Sequence, residues 1–181
     1  MPPTNQSPTN QSQTNPVHSD AAPVDPAGAA AGETPQVLRL TRRLAAPREA
    51  VFRAFTEPEA MVQWWGPEGM DVPEIRMDVR VGGGWRTCMR SPAGDLHCVA
   101  GVYREISPPE RLVMTWAWEG DDGPGRETLV TLEFHDRDGE TELVLIHENL
   151  ASVEAAEKHQ MGWTSSFNCL AQYLAENGEQ A

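Results

Sequence analysis

The chain has 181 residues, 39% of them hydrophobic and 23% charged, and its 14 Lys plus Arg face 27 Asp plus Glu for a formal net charge of -13. That size suits one ordinary domain whose core folds without disulfide staples. A pI near 4.7 sets up a field that repels phosphate backbones and anionic lipid, which excludes nucleic acid as an expected partner.

Met1 to Gln13 has neither a basic nor an apolar leader region, and no stretch approaches about eighteen uninterrupted apolar residues. The expectation is a cytoplasmic protein with no membrane span. A reducing cytosol keeps thiols free, so Cys88, Cys98 and Cys169 are expected as unpaired packing residues.

In chain order, residues 1–36 read as a low-complexity tail. Thr4-Asn5-Gln6-Ser7-Pro8 recurs as Thr9-Asn10-Gln11-Ser12-Gln13, and an Ala/Pro/Gly stretch follows. Such a segment buries too little to offset its ordering entropy, so disorder is expected. Asp20, Asp25 and Glu33 are its only charged side chains. Nearly all of the acidity therefore belongs to the domain expected over 37–178.

Val37 to Arg42 alternates with period two, as a strand does. Ala46-Pro47-Arg48-Glu49 then opens a helical stretch in which Val51, Phe52 and Phe55 share a face. Glu57-Pro58-Glu59 restarts a second short helix ending in Met61, Trp64 and Trp65, which Gly66-Pro67 stops. The middle of the chain reads as strands over roughly 71–79, 84–91, 95–106, 111–119, 126–136 and 140–149, separated by Gly, Pro, Ser and Asp turn chemistry. Short connections make neighbours antiparallel, and a meander is the economical topology. Ser152 to Asn177 carries Trp163, Phe167, Leu170 and Leu174 at helical spacing, with Ser152 as cap and Gly178 as stop. A curled antiparallel sheet and one long amphipathic helix each have one apolar surface, so the helix is expected across the concave face. The fold class is α+β.

Strand alternation places Trp85 and Met89 on one face. His97 and Tyr103 join them if Met89 sits opposite His97. Trp116 and Trp118 share the inward face of the next strand, His147 that of the last, and Trp163 comes from the helix. All six tryptophans lie outside the tail. Indoles are hard to pack to native density and each N–H needs an acceptor when buried, which suggests an apolar cavity between sheet and helix. The alternative is that the tryptophans fill the core.

His97 and His147 are the natural general-base candidates. Glu148 follows His147 directly and points to the opposite face of its strand, and no Ser-His-Asp or His-carboxylate spacing is apparent. Catalytic residues are unassigned. Cys88 and Cys98 lie symmetrically about the Pro92-Ala93-Gly94 turn as cross-strand neighbours, which admits a redox switch, although two ordinary half-buried thiols are the expectation. His135, His147 and His159 are scattered without ligand spacing, so no metal is expected. Gly82-Gly83-Gly84 lies between strands with no helix N-terminus to face an anion, and implies a tight corner or bulge and no nucleotide cofactor.

Several segments together carry a family resemblance: Ala46 to Thr56, Trp64-Trp65-Gly66-Pro67, Gly82-Gly83-Gly84-Trp85, Gly101 to Ile106, Pro108 to Leu112 and Gly162-Trp163. Over Val37 to Glu176 the chain resembles the activator-of-heat-shock-protein-ATPase-like branch of the START/SRPBCC, birch-pollen-allergen-like superfamily. The resemblance implies a helix-grip fold and an apolar pocket for lipids, polyketides or other hydrophobic small molecules, but no shared catalytic constellation. The expected function is binding of a hydrophobic small molecule in a cavity lined by Trp64, Trp65, Met77, Trp85, Met89, His97, Tyr103, Trp116, Trp118, His147 and Trp163. The alternatives are a cyclase- or hydrolase-type enzyme using a cavity histidine, and a regulatory partner of a chaperone. An exposed strand edge also admits a homodimer.

Overall fold

The computed structural model describes residues 34–120 and 123–177, so the expected tail disorder and the Gly178 stop lie outside the described residues. The domain begins with strand β1 (Gln36–Leu44), helix α1 (Arg48–Thr56) and the short helix α2 (Pro58–Met61). Strands β2 (Asp71–Met77), β3 (Gly84–Arg90), β4 (Leu96–Ser107), β5 (Arg111–Gly120), the two-residue β6 (Gly123–Pro124), β7 (Thr128–Arg137) and β8 (Glu140–Leu150) follow, and helix α3 (Val153–Asn177) closes the fold.

The sheet is antiparallel in the order β1-β8-β7-β5-β4-β3-β2, with β6 paired to β5. The meander expected from the short connections runs from β2 to β8. β1 pairs instead with β8, at the opposite edge from β2, with Leu38 opposite His147 and Leu40 opposite Leu145. The chain must therefore cross the sheet between its first two strands, and α1 and α2 occupy that crossing. The result is a curved, unclosed sheet gripping α3, the helix-grip fold.

The local causes are readable. Pro47 precedes α1 and its carbonyl accepts from the Ala50 and Val51 N–H groups, a place where the lost proline donor costs nothing. α1 buries Val51, Phe52 and Phe55. Both phenylalanines meet Phe134 of β7 edge-on, with ring centroids 5.4 and 5.7 Å away. The Ser152 hydroxyl accepts from the Ala155 N–H at 3.1 Å and so caps α3, which satisfies one of the donors a helix start leaves open. α3 lies against β1, β8 and α1 and buries Trp163, Phe167, Leu170 and Leu174.

The β2–β3 connection is the tight corner read from Gly82 to Gly84. It turns back on β4: Gly82 N–H donates to the Tyr103 carbonyl at 2.8 Å, and Tyr103 N–H donates to Gly83 at 3.0 Å. β2 stops at Met77, two residues before its expected end, because Asp78 and Arg80 already belong to this corner.

Cys88 and Cys98 are directly opposed in the β3–β4 register, with Cα atoms 4.0 Å apart, and form a disulfide. This corrects the expectation of free thiols at these positions. The turn at Pro92 to Gly94 sets a register that holds the two sulfurs together, and permanent proximity favours the bond over two separate thiols. Cys169 is free.

Candidate functional site

Register decides what faces the interior. On β3 and β4, Trp85 lies opposite Gly101, Thr87 opposite Val99 and Met89 opposite His97. Val99 in turn faces Trp118 on β5, and Tyr103 faces Met114. α3 then lays Trp163 over this surface, and the segment after α2 adds Trp65.

The tryptophans largely fill the space between sheet and helix by packing on each other. Trp65 meets Trp64, Trp116 and Trp163 with centroids 5.4, 5.8 and 5.7 Å apart. Trp116 meets Trp85 at 5.5 Å and Trp163 at 5.1 Å. Tilted and edge-on pairs at such distances are the favoured geometry of aromatic rings. At one edge of this cluster the packing leaves a cleft of about 400 Å³. Its walls are the Trp65 to Met70 segment, the Met89–His97 pair, Trp116 and Trp118 of β5, and the face of α3 that carries Lys158, His159, Gly162, Trp163 and Ser166.

Of the residues expected to line a cavity, Trp65, Met89, His97, Trp116, Trp118 and Trp163 meet at the cleft. Trp64, Met77, Trp85, Tyr103 and His147 do not line it. Trp64 is buried against Phe55, and its indole N–H donates to the Ala54 carbonyl at 3.0 Å, locking the segment after α2 onto α1. Trp85 lies behind Trp65 and Trp116. Met77 sits opposite Trp85 as a half-buried member of the core. Tyr103 is fully buried, which pushes its phenol pKa up.

His147 is sealed behind Trp116 and Trp163. Trp163 Nε1–H donates to His147 Nδ1 at 3.2 Å, and His147 Nε2 lies 2.7 Å from the Thr128 hydroxyl. That hydroxyl donates to the Trp116 carbonyl at 2.9 Å, so it accepts from His147, which fixes the neutral Nε2–H tautomer. Burial, assisted by His159 nearby, lowers the His147 pKa from 6.5 to about 3. With both nitrogens engaged and the ring neutral, His147 completes a buried polar network. It does not join His97 or Tyr103 in one cavity.

Gly66, Pro67, Met70, Lys158, His159, Gly162 and Ser166 were not read from sequence as lining residues, although they border the cleft. Three α3 members were signalled: His159 and Ser166 stand four before and three after Trp163, and Gly162 stands three after His159 and four before Ser166, so they share one helical face. His159 is itself held in place, since its Nε2 accepts from Trp118 Nε1–H at 3.1 Å and Nδ1 lies 2.7 Å from the Ala155 carbonyl.

Two close approaches shape the cleft wall and the sheet behind it. Gly66 has φ of +97°, and a Cβ there would lie 2.9 Å from the sulfur of Met89. At Gly101 a Cβ would lie 1.9 Å from the Thr115 carbonyl oxygen and 2.6 Å from Trp85 Nε1. Thr115 fills the adjoining gap in the ladder by accepting from the Val102 N–H at 2.9 Å. Glycine at 101 thus lets β5 and the Trp85 ring close on β4.

A curved sheet wrapped on one long helix, with a mostly apolar cleft between them, defines a helix-grip protein. The chain belongs to the Activator of Hsp90 ATPase homolog 1-like family, whose model matches residues 45–175. The crystal structure of the AHSA1 protein from Silicibacter pomeroyi is similar, with 34% identity, a TM-score of 0.71, and coverage of 78% of this chain and 99% of that one. A Chromobacterium violaceum protein shares 30% identity over 76% of this chain and 96% of its own, with a TM-score of 0.66. A Nitrosomonas europaea protein, at 24% identity, covers 78% of this chain and 95% of its own with a TM-score of 0.66, and shares the fold. No curated protein matches the chain in sequence. Among the described residues no helix is long and apolar enough to cross a membrane.

Proposed function

We propose that the protein binds a hydrophobic small molecule in the cleft between α3 and the sheet. The observation that carries this reading is the wall itself: four indoles, from Trp65, Trp116, Trp118 and Trp163, and two thioethers, from Met70 and Met89, converge on one cleft. Trp118 is 38% exposed there. Apolar surface left open beside a buried core gains by covering with an apolar molecule. The sealed and neutral state of His147 favours binding over a reaction that uses this imidazole as a base.

Titrating tryptophan emission with a panel of hydrophobic metabolites tests the proposal, alongside mass spectrometry of small molecules extracted from the purified protein. Quenching or a spectral shift that is lost in Trp118→Ala supports it. Unchanged emission across the panel, with nothing extracted, counts against it. The family name favours a second reading, regulation of a chaperone ATPase. Pull-down of a chaperone that persists in Trp118→Ala would support that reading over the first.

A further inference from the structure

The cleft differs in charge from the rest of the molecule. Acidic side chains outnumber basic ones 27 to 14 in the chain, yet among the described residues no Asp or Glu lines the cleft, where the ionisable groups are Lys158, His97 and His159. Lys158 is the only lysine of the chain. The nearest acid known to engage it is Glu154, one turn earlier on α3, whose Oε1 lies 2.7 Å from Lys158 Nζ. Both side chains are largely solvent-exposed. An exposed pair of this kind is weakly held and exchanges partners readily.

Behind the wall lie two indole N–H groups without acceptors. Trp65 and Trp116 line the cleft, are 3% and 5% exposed, and carry indole N–H groups with no acceptor among the described residues. A buried donor without an acceptor is costly and uncommon in native folds. Two other polar groups of the wall are already committed: His159 to Trp118 and Ala155, and Ser166, through its hydroxyl proton, to the Gly162 carbonyl. A ligand that suits this wall brings an apolar body for the indoles and thioethers and a negative charge for Lys158.

We infer that the ligand is an apolar monocarboxylate, with its hydrocarbon or aryl body on the tryptophans and its carboxylate at Lys158, which it takes over from Glu154. This deepens the hydrophobic-ligand reading and rests on it. The protein's overall negative charge does not forbid such a ligand, because at physiological ionic strength exposed charges beyond about 8 Å are largely screened while Lys158 acts at contact.

Two matched pairs test the inference on the full chain: decanoate against 1-decanol, and 1-naphthylacetate against 2-(1-naphthyl)ethanol, each titrated by calorimetry and by tryptophan emission. The acid of each pair is expected to bind more tightly by about five-fold at low salt, the upper range for a partly exposed charge pair. Lys158→Gln should abolish that preference and leave the alcohols unaffected, while Glu154→Gln should strengthen the acids alone. Lys158 and Glu154 are exposed, so neither change threatens the fold. Equal binding of acid and alcohol, indifferent to both variants, overturns the carboxylate inference and leaves the hydrophobic cleft standing. Failure of all four compounds to bind overturns both.

Discussion

Trp163 of α3 and His147 of β8 are joined by a buried hydrogen bond, indole N–H to imidazole Nδ1, 3.2 Å long. It ties the closing helix to the sheet at the back of the cleft and holds His147 as the neutral tautomer whose other nitrogen bonds Thr128.

That arrangement makes the fold acid-sensitive. Unfolded His147 takes up a proton near pH 6.5, whereas the folded residue stays neutral until about pH 3. Between those values the unfolded chain binds more protons, so stability falls as pH falls, by up to about 1.4 kcal/mol per pH unit from this group. Above pH 6.5 both states are neutral and the penalty vanishes. His147→Gln, which cannot titrate, should be less stable than wild type at pH 7, with the gap shrinking toward pH 4.5. Urea midpoints at several pH values measure this, and a gap independent of pH would refute it.

Gly101→Ala should destabilise the domain although it adds a single methyl. The added carbon would collide with backbone, the Thr115 carbonyl, and with Trp85. The strands have to part or the tryptophan has to move, and overpacking of this kind costs about 1–3 kcal/mol. Thermal unfolding reads the loss, and an unchanged melting temperature would contradict the close approach.

Gly66→Ala acts on the cleft as well as on the backbone. The left-handed conformation costs a residue with a Cβ about 1–2 kcal/mol, and the new methyl presses on the Met89 sulfur. Weaker binding of a neutral naphthyl probe is expected in a protein that remains folded. Binding equal to wild type would place the ligand elsewhere.

The Cys88–Cys98 bond closes a short loop across the β3–β4 turn. Restricting the unfolded chain in this way stabilises by about 2–3 kcal/mol. Thiol titration of unfolded, unreduced protein should detect Cys169 alone, and reduction should expose three thiols. The double Ser variant should unfold at lower denaturant. Three thiols before reduction would rule the bond out.

Much of this molecule was legible in its sequence, and the failures are instructive. Turn chemistry at Pro92 to Gly94 and at Pro108-Pro109 marked the hairpins, so the Met89–His97 and Cys88–Cys98 neighbours followed from symmetry about a turn. What alternation could not separate was two kinds of inward residue. Trp85 and Met89 share a face of β3, yet only Met89 reaches the cleft, because the Trp65 ring covers Trp85. Trp64 and Trp65 are adjacent in sequence, and the Ala54 carbonyl captures the first while the second turns to the cleft.

The sequence by itself determined an acidic domain with one strand, two short helices, a run of further strands and one long closing helix, because local signals such as period, caps and turn residues suffice for elements and for hairpin registers. Only tertiary structure decided that β1 pairs with β8, that His147 is sealed between Thr128 and Trp163, and that the tryptophans occupy one another's space and leave an open cleft. Those outcomes depend on which bulky side chain reaches a shared volume first, a competition among residues distant in the chain that no local pattern records.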